Sequence, residues 1–148
     1  SVTPNLNVRG ILRIPYRVVD SEGLRSLGVG VVIIKVTPIN LTIQRFVASG
    51  RLSVRATRSI NLALDVRNRS AVSVPAQGFA ATLVGAQNGA EVYRETIRVD
   101  PAPGVTARYS FPSYKPVAIN TIHWTVTLED ADGQPNNAMA TGSTTVNP

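Results

Sequence analysis

The sequence predicts an all-β fold, a sandwich or barrel of short antiparallel strands. Three observations carry this expectation. Apolar residues recur at every second position through most of the chain. Turn-forming residues break these runs roughly every eight to twelve positions. No window of about a dozen residues has the 3.6-residue apolar repeat of an amphipathic helix.

The alternating runs read as strands with one face in a core and the other in water. Leu52, Val54 and Ala56 alternate with Arg51, Ser53 and Arg55. Ile60, Leu62, Leu64 and Val66 alternate with Asn61, Ala63, Asp65 and Arg67. Phe79, Ala81 and Leu83 form a shorter run, and Val105, Ala107, Tyr109 and Phe111 another. Ile122, Trp124, Val126 and Leu128 alternate with His123, Thr125, Thr127 and Glu129. The expected core is Leu62, Leu64, Val66, Phe79, Leu83, Trp124, Val126 and Leu128, with Trp124 contributing the largest apolar surface. Asn88-Gly89 and Asp132-Gly133 read as hairpin turns, and the 100–104 segment, Asp-Pro-Ala-Pro-Gly, as a rigid connection.

Residues 1–37 differ in texture. Leu12, Ile14, Tyr16 and Val18 share one face of an expected strand, with Arg13 and Arg17 opposite. Pro15 removes a backbone donor from its middle, which suits an edge or an added strand. Val31, Val32, Ile33 and Ile34 are apolar on both faces, and such a strand has to be covered on both sides. The expected division is therefore an N-terminal extension over 1–37 and a sandwich over 38–148.

Composition bounds the chemistry. The 148 residues include no cysteine, which excludes disulfides and thiolate metal sites. No apolar run reaches the ~18–20 residues of a membrane span. The chain opens at Ser1, so removal of a targeting segment and removal of an initiator methionine are both open readings. Fifteen basic residues face nine acidic ones. The basic residues crowd the first half and the acids the second, which points to an acidic partner or to complementary ends of a self-associating subunit.

From about Pro38 to Val146 the chain resembles the CARDB-like immunoglobulin-fold domains of bacterial and archaeal surface proteins. The resemblance runs through the 40–43 segment, Asn-Leu-Thr-Ile, as an opening strand, and through residues 60–68, which end in a Val-x-Asn step at Val66 and Asn68. It continues through the runs 79–84 and 92–99 as a hairpin, and through 104–111 after the Pro-Gly turn. It ends with 124–128, the acids from Asp130, and the Asn136-Asn137 pair before a last strand. What it implies is an immunoglobulin-like antiparallel β-sandwich, here with an N-terminal strand-forming extension, and a role in adhesion, spacing or assembly.

Catalytic patterns are thin. The one histidine, His123, stands mid-strand among Thr121, Thr125 and Thr127, and no Gly-x-Ser-x-Gly elbow is present. Asp130, Asp132 and Asn136, with Gly133 between, echo the start of a calcium loop, but the distal glutamate is missing. A plain hairpin turn is the simpler reading, so no cofactor is expected and calcium is the one candidate. The arginines suit nucleic acid, yet aromatics are few and not interleaved with them, which argues against it. A small-molecule substrate is not expected. Tyr16, Tyr93, Tyr109 and Tyr114 form no evident cluster that would bind sugar. Asn40 and Asn68 each open an Asn-x-Ser/Thr glycosylation pattern.

The leading expectation is a non-enzymatic structural subunit. It self-assembles, or coats a larger assembly, through strand pairing of its N-terminal arm, namely Leu12, Arg13, Ile14, Tyr16, Arg17, Val18 and Val31 to Ile34. Its partner is a copy of itself or another subunit, in an extracellular or cell-surface filament or in a virion. The alternative is an adhesion module of a larger surface protein that binds carbohydrate or protein.

Overall fold

The computed structural model describes residues 10–36, 39–53, 58–74, 79–129 and 135–148. The chain divides into two compact units, Ser1–Pro38 and Ile39–Pro148. The first unit holds strands β1 (Gly10–Tyr16) and β2 (Gly30–Val36), paired antiparallel as a two-stranded sheet.

The second unit is a sandwich of two sheets. The smaller is ordered β3 (Leu41–Ala48), β5 (Ile60–Asn68), β8 (Thr106–Tyr114). The larger is ordered β4 (Arg51–Ser53), β10 (Pro135–Asn147), β9 (Asn120–Glu129), β6 (Phe79–Gln87), β7 (Ala90–Val99). All pairings in it are antiparallel except β4 with β10. The opening strand of the resemblance extends to Ala48, after which the chain crosses to the other sheet as β4. Of the expected run 51–56, Val54, Arg55 and Ala56 lie outside the described residues.

The two-residue alternation becomes burial directly. In β5 the residues Ile60, Leu62, Leu64 and Val66 are buried, as are Ile122, Trp124, Val126 and Leu128 in β9. Seven of the eight expected core residues are buried. Phe79 is the exception. It opens β6 opposite Val99, where the sheet ends, and packs half-buried against the core edge. Val105 also departs from its run: it precedes β8 and is exposed.

Trp124 is placed by glycine. Its register partners on the two flanking strands are Gly142 of β10 and Gly85 of β6. A Cβ on Gly85 would stand 2.5 Å from Cζ3 of the indole. Phe46, from the opposite sheet, occupies the space over Gly142, where a Cβ would meet it at 3.0 Å. The indole Nε1–H donates to Thr144 Oγ1 at 3.0 Å, which satisfies the one polar group of a fully buried side chain.

Polar side chains close the ends. Asn88 and Gly89 have φ of 54° and 80°, the two left-handed positions of a type I′ turn between β6 and β7. Gln87, buried, donates through Nε2 to the carbonyls of Ala118 and Asn120. Asn68, fully buried, donates through Nδ2 to the carbonyls of Val72 and Pro101, while its Oδ1 accepts from the Ser70 N–H and hydroxyl. The Val-x-Asn step thus ties two connections to the end of β5.

Truncating a buried tryptophan typically costs about 3–5 kcal/mol. Trp124→Ala should therefore lower the melting temperature by about 10 °C or more. Gly85→Ala should also destabilise, by overpacking against the indole, at roughly 1–3 kcal/mol. Thermal unfolding followed by tryptophan fluorescence and circular dichroism measures the second, and circular dichroism alone the first.

Candidate assembly surface

The N-terminal unit is a hairpin whose register assigns its two faces. One face carries Leu12 opposite Ile34, Ile14 opposite Val32, and Tyr16 opposite Gly30. The Tyr16 ring lies across Gly30, whose missing Cβ leaves the room: a Cβ there would be 2.5 Å from the ring. The other face carries Arg13 opposite Ile33 and Pro15 opposite Val31. Arg13 thus falls on the face opposite Leu12 and Ile14, as the alternation predicts.

Among the described residues both faces display exposed apolar side chains. Val31 is 53% exposed and Ile33 62%, and Ile11, Tyr16 and Val32 are exposed as well. Apolar side chains in this density on both sides of a two-stranded sheet leave it marginal in water. Exposed apolar side chains in this number are of the kind that marks an interaction site.

The connection between β1 and β2 is ordered. Asp20 Oδ1 accepts from the N–H of Glu22 at 3.0 Å and of Leu24 at 2.9 Å. Gly23 supplies the left-handed position, φ 82°. Val18 and Ser26 hold the base of the loop: the Ser26 N–H donates to Val18 O, and Val18 N–H to Ser26 Oγ. This arrangement displays Val19, Leu24, Leu27 and Val29 to solvent. Sequence reasoning did not single these residues out. Their spacing has no period, and the one available signal was apolar side chains flanking a polar turn at 20–23.

The remaining candidates separate. Asp130 and Asp132 lie outside the described residues, and Asn136 falls within β10. Among the described residues no group of three acids or histidines is placed to hold a metal ion. His123 is exposed on β9, between Ser143 and Ala86 in register. Asn40 is exposed, whereas Asn68 is fully buried with its amide engaged, so the second glycosylation pattern is inaccessible in the folded chain. Among the described residues no helix is long and apolar enough to cross a membrane.

Two of the four tyrosines, Tyr93 and Tyr114, come together, which their spacing in the sequence does not indicate. Tyr93 of β7 and Tyr114 of β8 meet Trp124 edge-to-face, with centroids 5.5 and 6.1 Å from the indole and 5.7 Å from each other. The rings converge from different sheets, which no local pattern reveals. They pack against the core, and Tyr93 O–H donates to Pro112 O at 2.7 Å, linking the β7 and β8 edges. On the outer face of the small sheet, Arg108 pairs bidentately with Asp65, directly opposite in register, at 2.7 and 3.0 Å. The guanidinium holds the Asp65 carboxyl below the usual carboxylate range.

No protein-family model matches the sequence, and no curated protein matches it. Among solved structures, the crystal structure of the CARDB domain of the PF1109 protein from Pyrococcus furiosus, in complex with di-metal ions, is similar with a TM-score of 0.54 at 18% identity. That match covers 73% of this chain and 93% of the other. The solution structure of the same domain gives a TM-score of 0.56, again at 18% identity, over 74% of this chain and 95% of the other. The C-terminal unit is an immunoglobulin-like β-sandwich. More particularly, it has the fold of a CARDB-like domain.

Desolvation, reinforced by Glu95, pushes the Tyr93 phenol up to about 12. An unfolded tyrosine ionises near 10. The neutral ring is therefore favoured by the fold: the contribution is complete below about pH 10 and is lost as pH rises toward 12. Stability should fall across that window, and Tyr93→Phe should flatten the decline. Melting temperatures measured from pH 8 to 12 give the comparison.

Proposed function

We propose that the chain is a non-enzymatic structural subunit that assembles through its N-terminal hairpin. One observation supports the reading above the others: β1 and β2 pair only with each other among the described strands, and both faces of the resulting sheet display apolar side chains. A second protein surface is the natural cover for such a sheet. Leu12, Ile14, Tyr16, Val18 and Val31 to Ile34 supply the apolar contact. Arg13 and Arg17 supply charge that steers toward an acidic surface.

The setting on this reading is a surface filament or the coat of a virion, outside the cell or on its surface. The fold likeness to CARDB domains is the observation that favours a second reading, an adhesion module of a larger surface protein. In that case the hairpin's partner is a carbohydrate-bearing or protein ligand and not another copy. On both readings no metal is expected at Asp130, Asp132 and Asn136. The melting temperature should then be unchanged in millimolar calcium; a rise that Asp132→Ala abolishes would assign Asp130, Asp132 and Asn136 to a calcium site.

The two readings part on the oligomeric state of the full chain. Assembly predicts concentration-dependent species in sedimentation velocity and rings or fibres by negative stain. Val31→Lys with Ile33→Lys, both at exposed positions, should leave the melting temperature of the sandwich within a few degrees and return the chain to a monomer. A wild-type chain that stays monomeric at every concentration leaves the adhesion module as the reading.

A further inference from the structure

Unpaired sheet edges invite other strands, and folded proteins blunt them with charges, prolines, bulges or short length. The sandwich treats its edges in this way, with one departure. On β7, Glu95 stands in register with buried Leu83, so an edge strand carries a charge on its core-facing side. On β8, Pro112 removes a backbone donor within the strand. On β3, the register shifts between Ile43 and Arg45, a bulge at Gln44. On β4, the strand is three residues long.

The departure is β10. It is paired with β9 without a break from Met139 to Val146, but on its other side β4 reaches only Thr145–Asn147. Over residues 138–143 no described strand pairs with that side, although β3 passes close to β10 on its way to β4. This stretch reads Ala-Met-Ala-Thr-Gly-Ser, with no charge, no proline and, from Met139 onward, an unbroken register with β9.

The hairpin offers the complementary strand. β2 has seven residues, each with a backbone N–H, whereas β1 loses one donor at Pro15. Charge agrees with the pairing. Residues 1–38 carry five basic residues against two acids, while residues 116–148 carry three acids and no lysine or arginine. Attraction between these two regions of different copies is favourable and falls with added salt.

We propose that β2 of one copy adds to the 138–143 edge of β10 in a second copy, antiparallel, extending the five-stranded sheet. The proposal rests on the hairpin being the assembly element. Antiparallel addition sets the Lys35 end of β2 beside the Glu129 end of the β9–β10 hairpin. Donor and acceptor are different patches of one chain, so the contact is head-to-tail and propagates into a ring or a filament. The apolar face of β2 continues the sheet, and strand addition satisfies backbone groups on both partners at once.

The test uses the full-length chain. Met139→Lys with Thr141→Lys places two like charges on the open edge at exposed positions. The expected result is an apparent dissociation constant raised about tenfold or more in sedimentation velocity, with the melting temperature unchanged. A second measurement does not depend on that variant folding. The chain has no cysteine, so Thr141→Cys chains can be mixed with Val32→Cys or Ile33→Cys chains, which sample the two faces of β2. A mixed disulfide dimer, formed in preference to either homodimer and suppressed by high salt, is expected from one of the two mixtures. If the lysine variant assembles like the wild type, or if neither mixture cross-links, the β10 site is overturned. That failure is distinct from failure of the hairpin reading, in which the wild-type chain is monomeric or Val31→Lys with Ile33→Lys assembles unchanged.

Discussion

The sandwich depends on how one indole is accommodated. Trp124 sits in a register row flanked by Gly142 and Gly85, with Tyr93 beyond Gly85. Two glycines in line leave a trough across three strands of one sheet, and the ring fills it. Phe46 closes the trough from the facing sheet over Gly142, and Tyr114 closes it from β8. The same row therefore fixes the spacing between sheets and the lateral order within one of them. The hydrogen bond to Thr144 sets the ring's direction, so that packing and polarity specify one orientation.

Much of this architecture was legible because strand burial has a period of two. The alternation in 60–66 and 122–128 gives both the strands and their inward faces, and Asn88-Gly89 gives the turn that joins β6 to β7. The trough was not legible. Gly85 and Gly142 lie 57 positions apart and become neighbours only through β9. Tyr93 and Tyr114 likewise belong to different sheets and meet only once the sandwich closes. Phe79 was misjudged because alternation reports which face a side chain takes and not how far the sheet continues beyond it.

The hairpin was half legible. The apolar character of both strands and the side taken by Arg13 follow from the sequence. That β1 and β2 pair with each other does not, because a connection running from 17 to 29 has no short hairpin-turn signature and leaves the choice of partner open. The loop's own order comes from Asp20 accepting two backbone donors, a local arrangement strong enough to fix the turn yet invisible as a pattern.

The closures of the sandwich are made by carboxamides. Asn68 ties the 72 and 101 carbonyls to the end of β5, Gln87 ties the approach to β9, and the Asn120 side-chain amide donates to Asn88 Oδ1 at 2.8 Å. Many small extracellular domains fasten such points with sulfur, and their folding then waits on an oxidant. Here the fastening is complete as soon as the backbone is in register. The domain reaches the same native state in a reducing or an oxidising compartment. Thiol reagents leave its fastenings untouched, because the chain has no thiol to exchange.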